Sequence, residues 1–191
     1  MFAFSLATGP AGQNKALGLN DLLVQSADAS AVDYYLQIDG IDGESTTAGH
    51  ENQIDIESYS FGEHNSGSTS FGGGSGAGKV QMDDFNFTMR VNKASVALFL
   101  ATANGKHIKD ATLMVVRSAG KDKGQVFLTW KFSDVLVSSY RQNAGGSDLL
   151  PLDSFSLSFG KIEVEYRQQK PDGTLGEPIK AGWDLKENKG V

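Results

Sequence analysis

The sequence predicts a mainly β domain with one flanking helix, and three observations carry that prediction. Apolar and polar residues alternate with period two in stretch after stretch between Val32 and Tyr166, the spacing of strands that lay one face on a core. A single convincing segment of the main domain, Lys93 to Gly105, switches to helical spacing. Glycine outnumbers proline 23 to 4, a balance suited to many turns and flexible loops. A length of 191 residues with 39% hydrophobic content fits one domain with a real core.

Residues 1–31 differ from the rest, being rich in Ala, Gly, Ser and Asn, with one apolar cluster at Leu17, Leu19, Leu22, Leu23 and Val24. They are read as an N-terminal extension, flexible or forming a short helix capped near Asn20. The β domain then spans 32–191. Val32, Tyr34, Leu36 and Ile38 alternate with polar neighbours in a strand that ends in Gly40. The polar stretch from Ile41 to Glu51 is long enough to project from a sheet or barrel. Ile54, Ile56, Tyr59 and Phe61 resume a strand. Val80, Met82, Phe85, Phe87, Met89 and Val91 alternate on either side of Asp83-Asp84.

The helix places Ala94, Leu98 and Ala101 on one face with Ala97 and Phe99 close by. Asn92 or Ser95 caps its start, and Asn104-Gly105 gives a left-handed stop. Leu113–Arg117, Val126–Phe132 and Val135–Tyr140 read as three strands, the first two joined by a charged turn at Gly120 to Gly124. Phe155, Leu157 and Phe159 fall on odd positions, whereas Ile162, Val164 and Tyr166 fall on even ones. That change of phase predicts a β-bulge at Gly160-Lys161, a bend that helps a sheet close into a barrel. A turn at Pro171-Asp172-Gly173 leads to a short edge strand near Ile179 to Leu185, anchored by Trp183.

The run Phe71 to Lys79 comes close to a phosphate-binding loop, because Gly73 and Gly78-Lys79 match most of G-x-x-x-x-G-K-[ST]. Val80 stands where a magnesium-binding hydroxyl is required, and a strand follows where a helix must start. The run is therefore a long loop between antiparallel strands. The absence of cysteine removes disulfides, thiol nucleophiles and Cys-ligated metal sites. A net charge of −6 with scattered basic residues argues against nucleic acid and anionic membranes as partners. Met1 to Ala7 carries no basic residue ahead of its apolar patch, so no cleaved signal peptide is expected.

His50, His64 and His107 fall in loops or at a helix end, and solvated loop histidines are expected. His50 with Glu51 and Glu63 with His64 resemble base–carboxylate pairs, and Asp83-Asp84 a metal or acid–base pair. Adjacent strand residues point to opposite faces, which spoils each pairing. The serines lack a G-x-S-x-G elbow. No catalytic constellation, cofactor site or metal site is expected.

Several segments together resemble the Hcp tube proteins of type VI secretion systems: Tyr35 to Ser45, Ser66-Gly67-Ser68 leading into Gly78-Lys79-Val80, Lys93-Ala94-Ser95, Asn104 to His107, Asp134 to Tyr140, Phe155 to Tyr166, and Ala181 to Asp184. The resemblance runs from about Val32 to the C-terminus in the family's order. It implies a β-barrel of two antiparallel sheets with one flanking helix, assembled as a homohexameric ring. Stacked rings form a hollow tube that a contractile sheath propels with its spike, carrying secreted effectors in the lumen. The resemblance further implies a structural, non-enzymatic subunit without cofactor, cytoplasmic before assembly and extracellular afterwards. By the family's pattern the loop Gly40 to Gln53 contacts the next ring, with Glu44, Ser45, Glu51 and Gln53 as candidate stacking residues. The extension departs from the family, whose members start a few residues before the first strand. The competing reading is a monomeric ligand- or carbohydrate-binding β-barrel module, which requires a closed pocket and no ring.

Overall fold

Alternation does become strands in the computed structural model, which describes residues 32–65, 80–119, 122–146 and 150–191. The strands are β1 (Val32–Ile38), β2 (Ile54–Ile56), β3 (Ser58–Ser60), β4 (Glu63–Asn65), β5 (Val80–Met82), β6 (Phe85–Arg90), β7 (His107–Ala119), β8 (Asp122–Asn143), β9 (Leu152–Gln169), β10 (Leu175–Asp184) and β11 (Lys189–Gly190), with helix α1 (Lys93–Asn104) between β6 and β7. The expectations for the extension 1–31, for Ser66 to Ser68 and for the Phe71–Lys79 loop lie outside the described residues.

All strand pairs are antiparallel. Nine strands belong to one continuous sheet, and β4 with β5 forms a second, two-stranded one. Hydrogen-bonded neighbours run β3–β6–β9–β8–β7–β1–β2. Because β2 leads into β3 through Glu57, whose N–H donates to the Thr88 carbonyl of β6 at 2.8 Å, the path returns to its start as a barrel. Ile54 and Ile56 point inward on β2 and Tyr59 inward on β3, so the single strand expected over 54–61 is two strands with opposite phase. The corner at Glu57 moves the chain from β1 to β6. Along one edge of β9, residues 152–157 pair β6 and residues 161–169 pair β10, so the long β8–β9 hairpin serves both the barrel and a sheet extending beyond it.

Aromatic rings fill the barrel. Phe85, Phe87, Phe132 and Phe155 are fully buried, and the Phe85 ring lies 4.9–5.6 Å from those of Tyr59, Phe61, Phe87, Trp130 and Phe132. Burying each phenyl group contributes about 1.5–3 kcal/mol. Helix α1 lays Ala94, Leu98 and Ala101 on the core. Asn92 Oδ1 accepts from the Ala94 N–H at 2.8 Å while Ser95 Oγ accepts from the Asn92 N–H at 3.1 Å, a reciprocal cap in which both predicted residues take part. Gly105, at φ 62°, closes the helix by donating to the Ala101 carbonyl. Phe99, expected near the buried face, is 59% exposed.

The middle of the chain departs from expectation in instructive ways. The strands expected over 126–132 and 135–140 are one strand, β8, which continues through Asp134 at φ 57°. The bulge expected at Gly160-Lys161 is absent, because Ser133 pairs Lys161 and Val135 pairs Phe159 in unbroken register. The inward face changes phase at the same level in both strands: Phe132 and Val135 are buried on β8, Phe159 and Ile162 on β9. Neither strand then needs an extra residue. A Cβ at Gly160 would stand 3.2 Å from that of Asp134, so glycine there leaves room for the left-handed Asp134. The register shift between β8 and β9 falls instead between Val137 and Ser139. Strand β7 starts at His107, earlier than the expected Leu113. Strand β10 is longer than the expected edge strand and is itself covered in part by β11, which pairs Trp183 with Gly190.

Candidate functional site

The loop from Gly40 to Gln53 holds all four candidate stacking residues, and its two legs are drawn together. The Gly43 N–H donates to the Asn52 carbonyl at 2.8 Å, the Ser45 N–H to the Gln53 carbonyl at 3.1 Å, and the Asn52 N–H to the Ser45 carbonyl at 2.9 Å. Glycine at 43 is required by this approach, since a Cβ there would lie 2.1 Å from the Gln53 carbonyl oxygen. Side chains latch the loop onto the barrel. The His50 ring stacks on Tyr35 with centroids 4.2 Å apart, its Nδ1 lies 2.9 Å from Gln53 Oε1, and the Tyr35 hydroxyl donates to Thr47 Oγ1 at 3.1 Å. His50 is buried, which corrects the expectation of a solvated loop histidine: a ring flanked by an aromatic neighbour prefers stacking to hydration.

The four candidates therefore play different parts. Glu44 Oε1 accepts from the Lys93 N–H at 2.9 Å, placing its carboxylate at the positive end of α1. Ser45 is buried, with its hydroxyl accepting from the Thr47 N–H at 3.4 Å. Gln53 is half-buried and held by His50. Glu51 is exposed and accepts from the Gly49 N–H at 3.0 Å. Ser45 and Gln53 are brought side by side through the backbone, whereas Glu44 reaches away to the helix.

The other histidines are exposed. His64 lies 2.7 Å from Gln81 Oε1 across β4 and β5. His107 Nδ1 lies 3.2 Å from Asp134 Oδ1, and Lys186 pairs with the other oxygen of the same carboxylate. The hydrogen bond from Lys186 above all, with the charges of Lys186 and His107, holds the Asp134 carboxyl below its ordinary range, and the same bond raises the Lys186 ammonium. Asp153 is fully buried and accepts from Gln142 Nε2 at 2.9 Å. Burial first, then Asp153, pushes the nearby Tyr140 phenol up. Asp83 and Asp84 are exposed and do not act as a pair; Asp84 accepts from Ser138 at 2.6 Å.

Two surfaces escape the sequence reading. On the outer face of β3, β6, β9 and β8, Ser58 meets Thr88 at 2.6 Å, Ser139 meets Ser156 at 2.8 Å, and Ser156 donates to Asn86 at 2.7 Å. This strip offers hydrogen bonds with little charge. The second surface is the outward side of α1, where Val96, Phe99 and Leu100 are 74%, 59% and 58% exposed. Their i, i+3, i+4 spacing was the signal that a second apolar stripe exists on the helix.

A barrel filled with aromatic rings, a polar loop latched to its flank and bare apolar surface on its helix define a mainly β domain with one flanking helix. The model of the type VI secretion system effector Hcp family matches residues 35–166. The chain is 36% identical over 159 residues to protein hcp1 of Pseudomonas aeruginosa, covering 83% of this chain and 98% of that one. A solved structure of a type six secretion system protein aligns with TM-score 0.77 and 30% identity over 84% of this chain and 100% of the other. Hcp1 of Salmonella typhimurium aligns with TM-score 0.71 and 31% identity over 84% and 99%. The chain belongs to the Hcp family and is a subunit of the type VI secretion tube.

Proposed function

We propose that this tube subunit closes into a ring of six identical copies and that the rings stack through the 40–53 loop, with Glu44, Ser45, Glu51 and Gln53 at or beneath the contact. The hollow tube carries effectors and is expelled together with a spike by a contractile sheath. The subunit has no catalytic role, folds in the cytoplasm and leaves through the secretion apparatus. Residues 1–31 are an N-terminal extension to the 32–191 domain.

The observation that supports this reading most is the agreement of the described domain with a type six secretion structure along that protein's whole length. Ring filling supports it too: Phe85, Phe87, Phe132 and Phe155 occupy the space a ligand-binding barrel would keep open. Light scattering coupled to size exclusion tests the proposal. A particle of six subunit masses is expected, with six-fold rings by electron microscopy. A monomer at micromolar concentration would overturn it and favour the ligand-binding module. Removing residues 1–30 and comparing ring stacking by microscopy tests the role of the extension.

A further inference from the structure

The geometry points to a small-molecule site beside the packed rings of the barrel, one that takes a neutral apolar ligand carrying a single hydrogen-bond acceptor, such as a ketone or an amide. The site lies where β8, β9 and β10 extend beyond the barrel. Trp130 pairs Val164, which pairs Ala181, and Phe132 pairs Ile162, which pairs Trp183. Paired residues share a face of the sheet, and so do residues two apart along a strand. Both tryptophans therefore stand on the face that continues the core. Together with Phe61, with Met82 on β5, and with Ile162 and Val164, they wall a cavity of about 490 Å³. Small-ligand sites have volumes of this order and apolar, aromatic linings with a few polar groups that orient the occupant.

The walls also specify the ligand's chemistry. Trp183 Nε1 is buried and makes no hydrogen bond among the described residues. Trp130 Nε1 is buried likewise, but the Tyr59 hydroxyl stands close to it, which leaves Trp183 as the donor open to an occupant. An indole nitrogen donates and cannot accept. A buried donor without an acceptor is costly, so the occupant that relieves it must bring an acceptor. Negative charge is disfavoured, because Glu63 lines the cavity and, among the described residues, no Lys or Arg does. An anion entering would give up its hydration and gain no compensating cation. A neutral carbonyl on an apolar body meets each of these conditions.

Tryptophan occurs twice in the chain and both copies line this cavity, so intrinsic fluorescence reports on the site directly. The full-length protein, in whatever assembly it forms, is titrated with camphor, a compact neutral ketone, and with camphor-10-sulfonate, the same body bearing an anion. Camphor is expected to change the emission saturably, and the sulfonate to bind about tenfold more weakly. Trp183→Phe keeps a ring and deletes the donor; read through Trp130, it should weaken camphor binding about three- to tenfold. Ala181→Leu, at an exposed position on the cavity floor, should abolish saturation while circular dichroism and assembly state match the parent. A parent whose emission shows no saturable change would overturn the site. Unchanged camphor affinity in Trp183→Phe would refute the indole anchor, and a sulfonate that binds as well as camphor would refute the selection against charge. Saturation that survives Ala181→Leu would mean that the ketone binds elsewhere.

Discussion

Replacing Glu44 separates a residue that holds its own subunit together from one that only touches the next ring. Its carboxylate accepts the Lys93 N–H at 2.9 Å, one of the donors left without a partner at the start of α1. A negative charge at a helix N-terminus contributes about 0.3–1 kcal/mol. A hydrogen bond to a charged group adds about 1.5–3 kcal/mol in a sheltered setting and less on a surface. Because Glu44 is exposed, Glu44→Ala is expected to cost about 1 kcal/mol, and Glu44→Gln, which keeps an acceptor, roughly half of that. For a domain of this size, that is a fall of about 2–4 °C in Tm for the alanine variant. Thermal unfolding followed by circular dichroism, at one fixed subunit concentration because assembly raises apparent stability, reads the effect. High salt should erase the difference between parent and Gln variant. If Glu44→Ala leaves Tm unchanged while ring stacking disappears, the carboxylate acts between rings and the helix-cap argument fails.

Gly43→Ala should lower the denaturant midpoint by the equivalent of about 1–3 kcal/mol, because the new Cβ meets backbone on the opposite leg of the loop, 2.1 Å from the Gln53 oxygen; a neutral result would mean that the legs are not in contact. Leu98→Ala, at a fully buried position on the inner face of α1, should cost about 2–5 kcal/mol, checked by urea unfolding, and a loss below about 1 kcal/mol would contradict the packing. Asp134 has its folded pKa below its unfolded one, so its contribution is present above the ordinary carboxylate range and is lost as pH falls through the folded value. Asp134→Asn should therefore be less stable than the parent at neutral pH, with the gap closing below about pH 4; a gap that persists in acid would refute the ion-pair account.

Periodicity made the elements legible and pairing made them a barrel. The alternation in Val32–Ile38 and the reciprocal cap of Asn92 and Ser95 depend on neighbours within a few residues, and these were readable at once. The four stacking candidates were assigned to the Gly40–Gln53 loop through the family resemblance. Their separate parts were hidden, because Glu44 meets Lys93 and His50 meets Tyr35 across long sequence separations. Asp153 gave no sign of its complete burial, since nothing local says that Gln142 will meet it from the neighbouring strand.

The phase change around Gly160 shows where the division falls. Sequence alone determined that the inward face must switch between Phe159 and Ile162, because side-chain direction alternates by residue whatever the partner. Tertiary structure decided how: Asp134 on the neighbouring strand adopts φ 57° at the same level, both strands turn together, and the register survives. In the same way the chain's apolar pattern fixed which residues avoid water. Only the folded arrangement, by spending one stripe of α1 on its own core and leaving the other bare, showed which of them remain to meet another molecule, since burial is a property of what packs on a residue and not of the residue itself.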